Sequence, residues 1–128
     1  MNMIRGNDRV RNISAKLDAQ ELLGIQAYIR GAVYCWCKNC KNDDNSNRWF
    51  SARALFGGAN SDWQDTPLYP LYEWHQVHDT NDPFKRAGND LGYLLKGVLR
   101  EDQRIFNTRR IESDDSIREY RWTGEVTS

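Results

Sequence analysis

The sequence has few of the residues that build disulfide frameworks and metal centres. It contains three cysteines and two histidines in 128 residues. The three cysteines, an odd number, fall within one short segment, CWCKNC, that ends at Cys40. Secreted domains stapled by disulfides instead carry an even number of cysteines spread along the chain. We therefore expect reduced thiols.

Long apolar runs are also missing. The first fourteen residues, MNMIRGNDRVRNIS, contain no run of the roughly seven apolar residues that a secretory signal peptide needs. No later stretch reaches the roughly 18 apolar residues of a membrane span. The sequence therefore predicts a cytoplasmic protein that does not enter a membrane.

Net charge is absent, because eighteen basic residues balance eighteen acidic ones. A neutral chain has no general attraction to phosphate, so nucleic-acid binding would require its charges to be sorted onto one surface.

The length is sufficient for one hydrophobic core and too small for two. Residues 1–14 show no apolar periodicity and are predicted to form a flexible N-terminal arm. Residues 15–128 are predicted to form a single domain. Most of its large aromatic side chains are expected to lie in the core, and they are enough to fill it: Trp36, Trp49, Phe50, Phe56, Trp63, Tyr72, Trp74 and Trp122. Trp63 lies in an irregular segment and could instead be an exposed anchor for a protein partner.

Three helices are predicted before residue 80. Asp18 and Glu21 have the spacing of a capping box, so a helix should begin there. Its apolar positions then recur every three or four residues: Leu22, Ile25, Ile29, Val33, Trp36 and Cys40. Gly24 and Gly31 weaken this helix and suggest close approach of another element.

The next two helices are predicted from their capping residues. Ser51 should cap a short helix that ends at Gly57 and Gly58. Thr66 should cap a helix with Pro67 at its first position, running to about Val77.

A last helix is predicted over residues 84–102, with an interruption near Gly88. Its apolar stripe is Leu91, Leu94, Leu95, Val98 and Leu99. Beyond it, Phe106 and Thr108 alternate with polar residues, and so do Tyr120 and Trp122, as in a half-buried β-hairpin. A polar tip at residues 113–116 should join the two strands.

The order of helix, short helix, helix, long helix and terminal hairpin resembles the winged helix-turn-helix superfamily over residues 18–122. The resemblance implies an α+β fold, a helical bundle with a C-terminal β-hairpin wing. It departs from the usual pattern in the long segment over residues 57–83. Winged-helix proteins commonly place one helix in the major groove and the hairpin along the backbone or in the minor groove. The helix over residues 87–100 is the better candidate for the groove.

A basic surface is predicted on this helix and hairpin. Five basic residues against two acidic ones lie between Lys96 and Arg110, and such groups bind phosphate in a salt-dependent way. In a major groove Asn89 could read an adenine edge and Arg100 a guanine edge. The residues assigned to DNA contact are Lys85, Arg86, Asn89, Tyr93, Lys96, Arg100, Arg104, Arg109, Arg110 and Arg118. Alternatively, these charges form a solvated face, neutralised by the nearby acidic residues Glu112, Asp114, Asp115 and Glu119.

Metal binding and catalysis have weaker support. Cys37 and Cys40 have the spacing of half a zinc site, with His75 and His78 as further ligands, but no second cysteine pair exists. A cysteine, a histidine and Asp79 could form a nucleophilic site, yet no motif indicates it. His75 is more simply a group at a helix end and His78 a surface residue. We therefore expect no metal, no cofactor and no enzymatic activity.

The sequence thus predicts a DNA-binding winged-helix protein, such as a transcription regulator, with double-stranded DNA as its partner. Such proteins often dimerise on paired half-sites, so a homodimer is compatible with this interpretation. The alternative is a protein-interaction module on the same scaffold without DNA binding.

Overall fold

The computed structural model of the chain describes residue 13 and residues 15–41, 49–57, 63–78, 80–111 and 114–127. Within these ranges four helices precede two strands. The elements are α1 (Ala19–Lys41), α2 (Ala52–Phe56), α3 (Tyr69–Val77), α4 (Pro83–Glu101), β1 (Arg104–Ile111) and β2 (Asp114–Val126). The predicted α+β class, a helical bundle with a C-terminal β-hairpin, is confirmed.

The predicted N-terminal arm lies outside the described residues except at Ile13. That side chain is fully buried in the core. The folded unit thus includes at least one residue of the segment predicted to be an arm.

Helix α1 begins with the predicted capping box. The backbone N–H of Glu21 donates to Asp18 Oδ1 at 2.7 Å, and the backbone N–H of Asp18 donates to Glu21 Oε1 at 3.1 Å. These reciprocal bonds satisfy two of the N–H groups at the helix end. The fully buried residues of the helix follow one face: Ile25, Ile29, Val33 and Cys37. The side chain of Cys40, predicted to continue this stripe, lies outside the described residues.

The explanation proposed for the glycines of α1 is wrong. Apart from its chain neighbours and the backbone of its own helix, a Cβ added to Gly24 or Gly31 would meet no described atom within 4 Å. Both lie on the exposed side of the helix, so no described element approaches them closely.

Helix α2 is short and capped at both ends as predicted. The backbone N–H of Ala54 donates to Ser51 Oγ at 3.0 Å. At the other end Gly57 has φ +91°, a conformation that favours glycine, and its N–H donates to the carbonyl of Arg53 at 2.8 Å.

Helix α3 begins later than predicted. Thr66 does accept a hydrogen bond, from the backbone N–H of Leu68 at 3.2 Å, but its hydroxyl donates to the carbonyl of Trp63 at 2.7 Å. These bonds hold residues 64–68 in turns, so the helix begins at Tyr69 and Pro70, not Pro67, lies in its first turn.

Helix α4 is continuous, so the predicted interruption near Gly88 is wrong. Pro83 begins the helix after Asp82, which has φ +52°. The buried side of α4 carries Ala87, Asp90, Leu91, Leu94, Leu95, Val98 and Leu99.

Strands β1 and β2 form an antiparallel hairpin in which Phe106 pairs with Trp122 and Thr108 with Tyr120. Strand β2 begins at Asp114, so the described strand includes three of the four residues predicted for the tip. Ser113 lies outside the described residues. Because side chains alternate between the two faces of a strand, the pairs at 106/122, 108/120 and 110/118 share one face.

Phe50 joins the hairpin to the helices. Its backbone exchanges two hydrogen bonds with Tyr120, at 2.8 and 2.7 Å, as an isolated antiparallel bridge. Its fully buried ring packs against the rings of Trp36, Phe106 and Tyr120 at centroid distances of 5.8 to 6.1 Å. The hairpin is thereby fixed against the helical bundle.

Trp63 belongs to the core, and the alternative of an exposed anchor is wrong. Its ring is buried and lies 4.9 Å from that of Phe84, centroid to centroid. The indole N–H donates to the carbonyl of Phe56 at 3.0 Å, so its polar group is satisfied inside the protein. Of the other aromatic residues predicted for the core, Phe50 is fully buried and the rest are half-buried.

Candidate nucleic-acid interface

The side of α4 opposite its buried face carries a row of polar residues. Lys85, Asn89, Tyr93, Lys96 and Arg100 follow one another at spacings of three or four, which places them along one line of the helix. Lys85, Asn89 and Arg100 are exposed, whereas Tyr93 and Lys96 are half-buried. We call this row the α4 stripe.

Arg86 lies beside the stripe and is exposed. Its Nε donates to the carbonyl of Asn81 at 3.2 Å, which ties the guanidinium to the turn before α4.

Two arginines of the hairpin form ion pairs with carboxylates. Arg104 Nη1 lies 2.9 Å from Asp102 Oδ2, and its guanidinium lies over the rings of Tyr34 and Trp122. This arrangement connects the base of the hairpin to α1.

Arg109 is paired in a similar way. Its Nη2 lies 2.9 Å from Glu119 Oε1, and its guanidinium lies 4.0 Å from the ring centroid of Trp49. Arg121 lies on the same face of the hairpin and 5.3 Å from the same ring.

Arg110 and Arg118 lie on the other face. They are directly opposite each other in the register of the hairpin, so their Cβ atoms are about 5 Å apart. Arg118 Nη1 donates to Thr108 Oγ1 at 3.0 Å. This bond fixes the direction of one guanidinium and uses one of its five N–H groups.

The charges of this pair of arginines act on Lys96 of the α4 stripe. Burial lowers the pKa of the Lys96 ammonium, and the charges of Arg118 and Arg110 lower the same pKa further. The Nζ atom lies 5.6 Å from the ring centroid of Tyr93. We call these three residues, Lys96 of α4 and Arg110 and Arg118 of the hairpin, the cationic cluster, because the charges of the arginines affect the pKa of the lysine.

Tyr120 lies two residues after Arg118, on the same face of the hairpin, and adds no negative charge to the cluster. Burial raises the pKa of its phenol to about 12, although the nearby Arg118 acts in the opposite direction. The hydroxyl is therefore neutral at physiological pH.

The cationic cluster has no ion-pair partner among the side chains that the structure describes. Glu119 is a neighbour of Arg118 in the chain, but it projects from the opposite face and is paired with Arg109. The side chains of Glu112, Asp114 and Asp115 lie outside the described residues, so the predicted neutralisation is seen for Glu119 alone.

The sequence-predicted residues thus fall into three groups. Lys96, Arg110 and Arg118 form the cationic cluster, and Lys85, Asn89, Tyr93 and Arg100 share the α4 stripe with Lys96. Arg86 lies beside that stripe. Arg104 and Arg109 are held by carboxylates. Sequence reasoning did not identify Thr108, although its place two residues before Arg110 put it on the same strand face.

A second polar group is buried between α3 and α4. His75 Nε2 donates to Asp90 Oδ2 at 2.8 Å, and Lys16 Nζ lies 3.3 Å from the same oxygen. His75 Nδ1 lies 3.1 Å from Thr80 Oγ1. His75 and Asp90 are only 3 and 4% exposed, so the interpretation of His75 as a simple helix-end group is wrong. The signal in the sequence was the position of Asp90 on the apolar face, between Ala87 and Leu94.

The groups considered for metal binding and catalysis are not brought together in the described structure. No three His, Cys, Asp or Glu side chains there are placed to share a metal ion. Cys35 and Cys37 are thiols, exposed and buried respectively. His78 is exposed, as predicted, and stacks on Trp74. Asp79 and the side chain of Cys40 lie outside the described residues.

Among the described helices, none is both long and apolar enough to span a bilayer. Comparison with protein-family models, with curated proteins and with solved structures gave no match to the chain.

Proposed function

We propose that the protein binds double-stranded DNA through the α4 stripe and the cationic cluster. It would act as a cytoplasmic winged-helix-like transcription regulator or another sequence-dependent DNA-binding protein. The observation that carries the proposal is the pairing of Arg110 with Arg118 on one face of the hairpin, with Lys96 of α4 near enough for their charges to lower its pKa. This local concentration of positive charge is what a neutral chain needs in order to attract phosphate.

The α4 stripe is suited to a major groove. From Lys85 to Arg100 it extends about 22 Å along the helix, at about 1.5 Å per residue. An α-helix fits the major groove, where an asparagine can bond an adenine edge and an arginine a guanine edge. Asn89 and Arg100 are exposed on the stripe and are the side chains proposed to contact bases.

The hairpin supplies the phosphate contacts in this proposal. Arg110 and Arg118 project from one face of the hairpin, and their charges act on Lys96 of α4, so we place the helix and the hairpin on one duplex. Arg104 and Arg109 are not included, because Asp102 and Glu119 already match their charges. They hold the hairpin in position instead.

Titration of a fluorescent duplex of about 20 base pairs tests the proposal. We expect binding at about 50 mM salt that weakens steeply towards about 200 mM, since phosphate contacts release counterions. Absence of binding, or binding that does not change with salt, would refute the proposed function. Heparin is a useful control, because a specific groove contact should favour duplex DNA over a flexible polyanion.

A second candidate function, a protein-interaction module, is favoured by the exposed side of α1. Leu23 is 64% exposed and Tyr34 54% exposed, and Ala27 lies between them on the same face. Large exposed apolar side chains such as Leu23 and Tyr34 are found at protein contact sites, including those of homodimers. Analytical ultracentrifugation of the chain and of a Leu23→Glu variant tests it: a dimer that the variant dissociates supports a self-contact.

A further inference from the structure

One side of α1 is exposed to solvent. Leu23 is 64% exposed and Tyr34 is 54% exposed. Between these two large apolar side chains lie small residues that are also exposed, Gly24, Ala27 and Gly31. At about 100° per residue, the five positions fall within about 100° of one another around the helix. We call this surface the α1 face.

The two glycines of the α1 face are not explained by the conformation or the packing of the described chain. Glycine inside a helix is less favourable than alanine, and neither Gly24 nor Gly31 has the positive φ that would require it. A Cβ at either position would also meet no described atom outside its own helix within 4 Å. Because the distance between packed helices depends on the side chains at their contact, glycines let a second helix come close.

The sizes of the residues on the α1 face are arranged almost symmetrically about position 29. Ala27 and Gly31 lie two residues to either side of it, and Leu23 and Tyr34 lie six before and five after it. In an antiparallel pair of identical helices, residues at equal distances before and after the centre meet each other. Small residues would therefore meet at the centre, and Leu23 would meet Tyr34 at each end.

The charges of α1 favour an antiparallel pair over a parallel one. Glu21 lies eight residues before position 29, and the exposed Lys38 lies nine residues after it. An antiparallel pair brings a carboxylate near an ammonium at both ends, whereas a parallel pair brings like charges together. Antiparallel alignment also brings opposite ends of the two helix dipoles together. The α1 face is thus complementary to itself in both size and charge.

We propose that the α1 face binds the same face of a second copy of the chain, as an antiparallel helix pair centred at the level of position 29. The inference rests on the protein-contact function proposed above for this side of α1, to which it adds the partner and the orientation. It does not depend on DNA binding. Gly24 and Gly31 are the residues that allow close packing of the two helices.

Sedimentation equilibrium of the full chain tests for the pair. A contact between single helices is small, so we expect a reversible dimer to form between about 10 µM and 1 mM. Gly31→Leu favours the helix and adds apolar surface, yet it should weaken dimerisation at least about tenfold, because a large side chain at the centre holds the helices apart.

Gly88→Leu is the matched control, since it makes the same change in α4. A Cβ there would likewise meet no described atom outside its own helix within 4 Å, and the dimer dissociation constant should stay within about twofold of the wild type. A wild-type chain that remains monomeric would overturn the proposal. Dimerisation of Gly31→Leu as tight as that of the wild type, or equal weakening by both substitutions, would do the same.

The exposed thiol of Cys35 reports the orientation. In the antiparallel pair it lies opposite Gly24 of the second copy, whereas the two Cys35 residues are about 18 Å apart along the helices, at about 1.5 Å per residue. Mild oxidation should therefore cross-link a Gly24→Cys variant between copies, and Cys35→Ser in that variant should abolish the cross-link. A cross-link between the two Cys35 residues of the wild type, identified by mass spectrometry, would indicate a parallel pair and contradict the proposal.

These measurements contain no DNA, so their failure leaves the proposed DNA binding in place, and failure to bind DNA leaves the helix pair in place. The Leu23→Glu variant separates the pair from a looser self-contact. A dimer that Leu23→Glu dissociates and Gly31→Leu does not would support contact through α1 but contradict close antiparallel packing.

Discussion

The imidazole of His75 donates a hydrogen bond of 2.8 Å to the carboxylate of Asp90, and both side chains are almost completely buried. A carboxylate can only accept, so Nε2 carries the hydrogen in this pair. Lys16 Nζ lies 3.3 Å from the same oxygen and over the ring of Trp74. The group thereby connects the segment before α1 to α3 and α4.

Replacing this carboxylate should destabilise the fold. Asp90→Asn keeps the size of the side chain but removes the charge that Lys16 and His75 share. We expect the free energy of unfolding to fall by about 2 kcal/mol, as for other hydrogen bonds to buried charged groups. Urea denaturation at neutral pH measures the change.

Asp82→Asn is the matched control: Asp82 is exposed and its side chain caps no N–H group, so a change within about 0.5 kcal/mol is expected. Equal effects of the two substitutions would contradict a stabilising role for Asp90.

Removing a member of the cationic cluster should stabilise the protein. Arg110→Thr relieves the repulsion with Arg118 and Lys96, and threonine is favoured in strands. We expect the free energy of unfolding to rise by about 0.5 kcal/mol, measured by urea denaturation at low salt, where the repulsion is least screened.

Arg109→Thr provides the control for this experiment, because it changes the next residue of the same strand. It removes the ion pair with Glu119 and the contact with Trp49. We expect a loss of about 0.5 to 1 kcal/mol. Should both substitutions destabilise the fold alike, Arg110 would be a structural residue.

The hairpin should lose stability at alkaline pH through Tyr120. Its pKa is about 12 in the folded protein and about 10 in an unfolded chain. The folded state therefore holds the proton more tightly. The stabilisation is complete below pH 10 and is lost as pH rises towards 12. Between about pH 9 and pH 11.5 the loss from this residue should be about 2 kcal/mol.

Tyr120→Phe isolates this effect, since phenylalanine keeps the ring and removes the ionisable group. Urea denaturation of both proteins at about pH 9 and pH 11.5 gives the loss of unfolding free energy in each. The loss should be smaller in the variant than in the wild type by about 2 kcal/mol. A parallel loss in the two proteins would show that Tyr120 does not ionise on unfolding.

Much of the fold could be predicted because local signals agreed with it. The capping box at Asp18 and Glu21, the cap at Ser51 and the apolar stripe of α4 each depend on residues close together in the chain. Alternation around Phe106 and Tyr120 likewise indicated the hairpin. The start of α3 was misplaced because Thr66 bonds backwards to Trp63 as well as forwards, a turn that the Thr-Pro pair does not reveal.

The candidate site could be predicted only in part. Arg109 and Arg110 are adjacent, and a shift of one residue in strand register would exchange their faces. The sequence alone therefore could not indicate which of them acts on Lys96 and which pairs with Glu119. The pairing of His75 with Asp90 joins two helices and depends on how they pack. The only local indication of this pair in the sequence was the position of Asp90 on the apolar face of α4.

The central claim is that the cationic cluster contacts DNA phosphates, and the salt dependence of binding tests it most directly. Affinity for a duplex of about 20 base pairs is measured between about 50 and 200 mM salt for the wild type and for an Arg110→Gln/Arg118→Gln variant. Each lost phosphate contact should reduce the magnitude of the slope of log affinity against log salt by about 0.9, so the double variant should show a slope smaller by about 2. An identical slope in the two proteins would contradict the account.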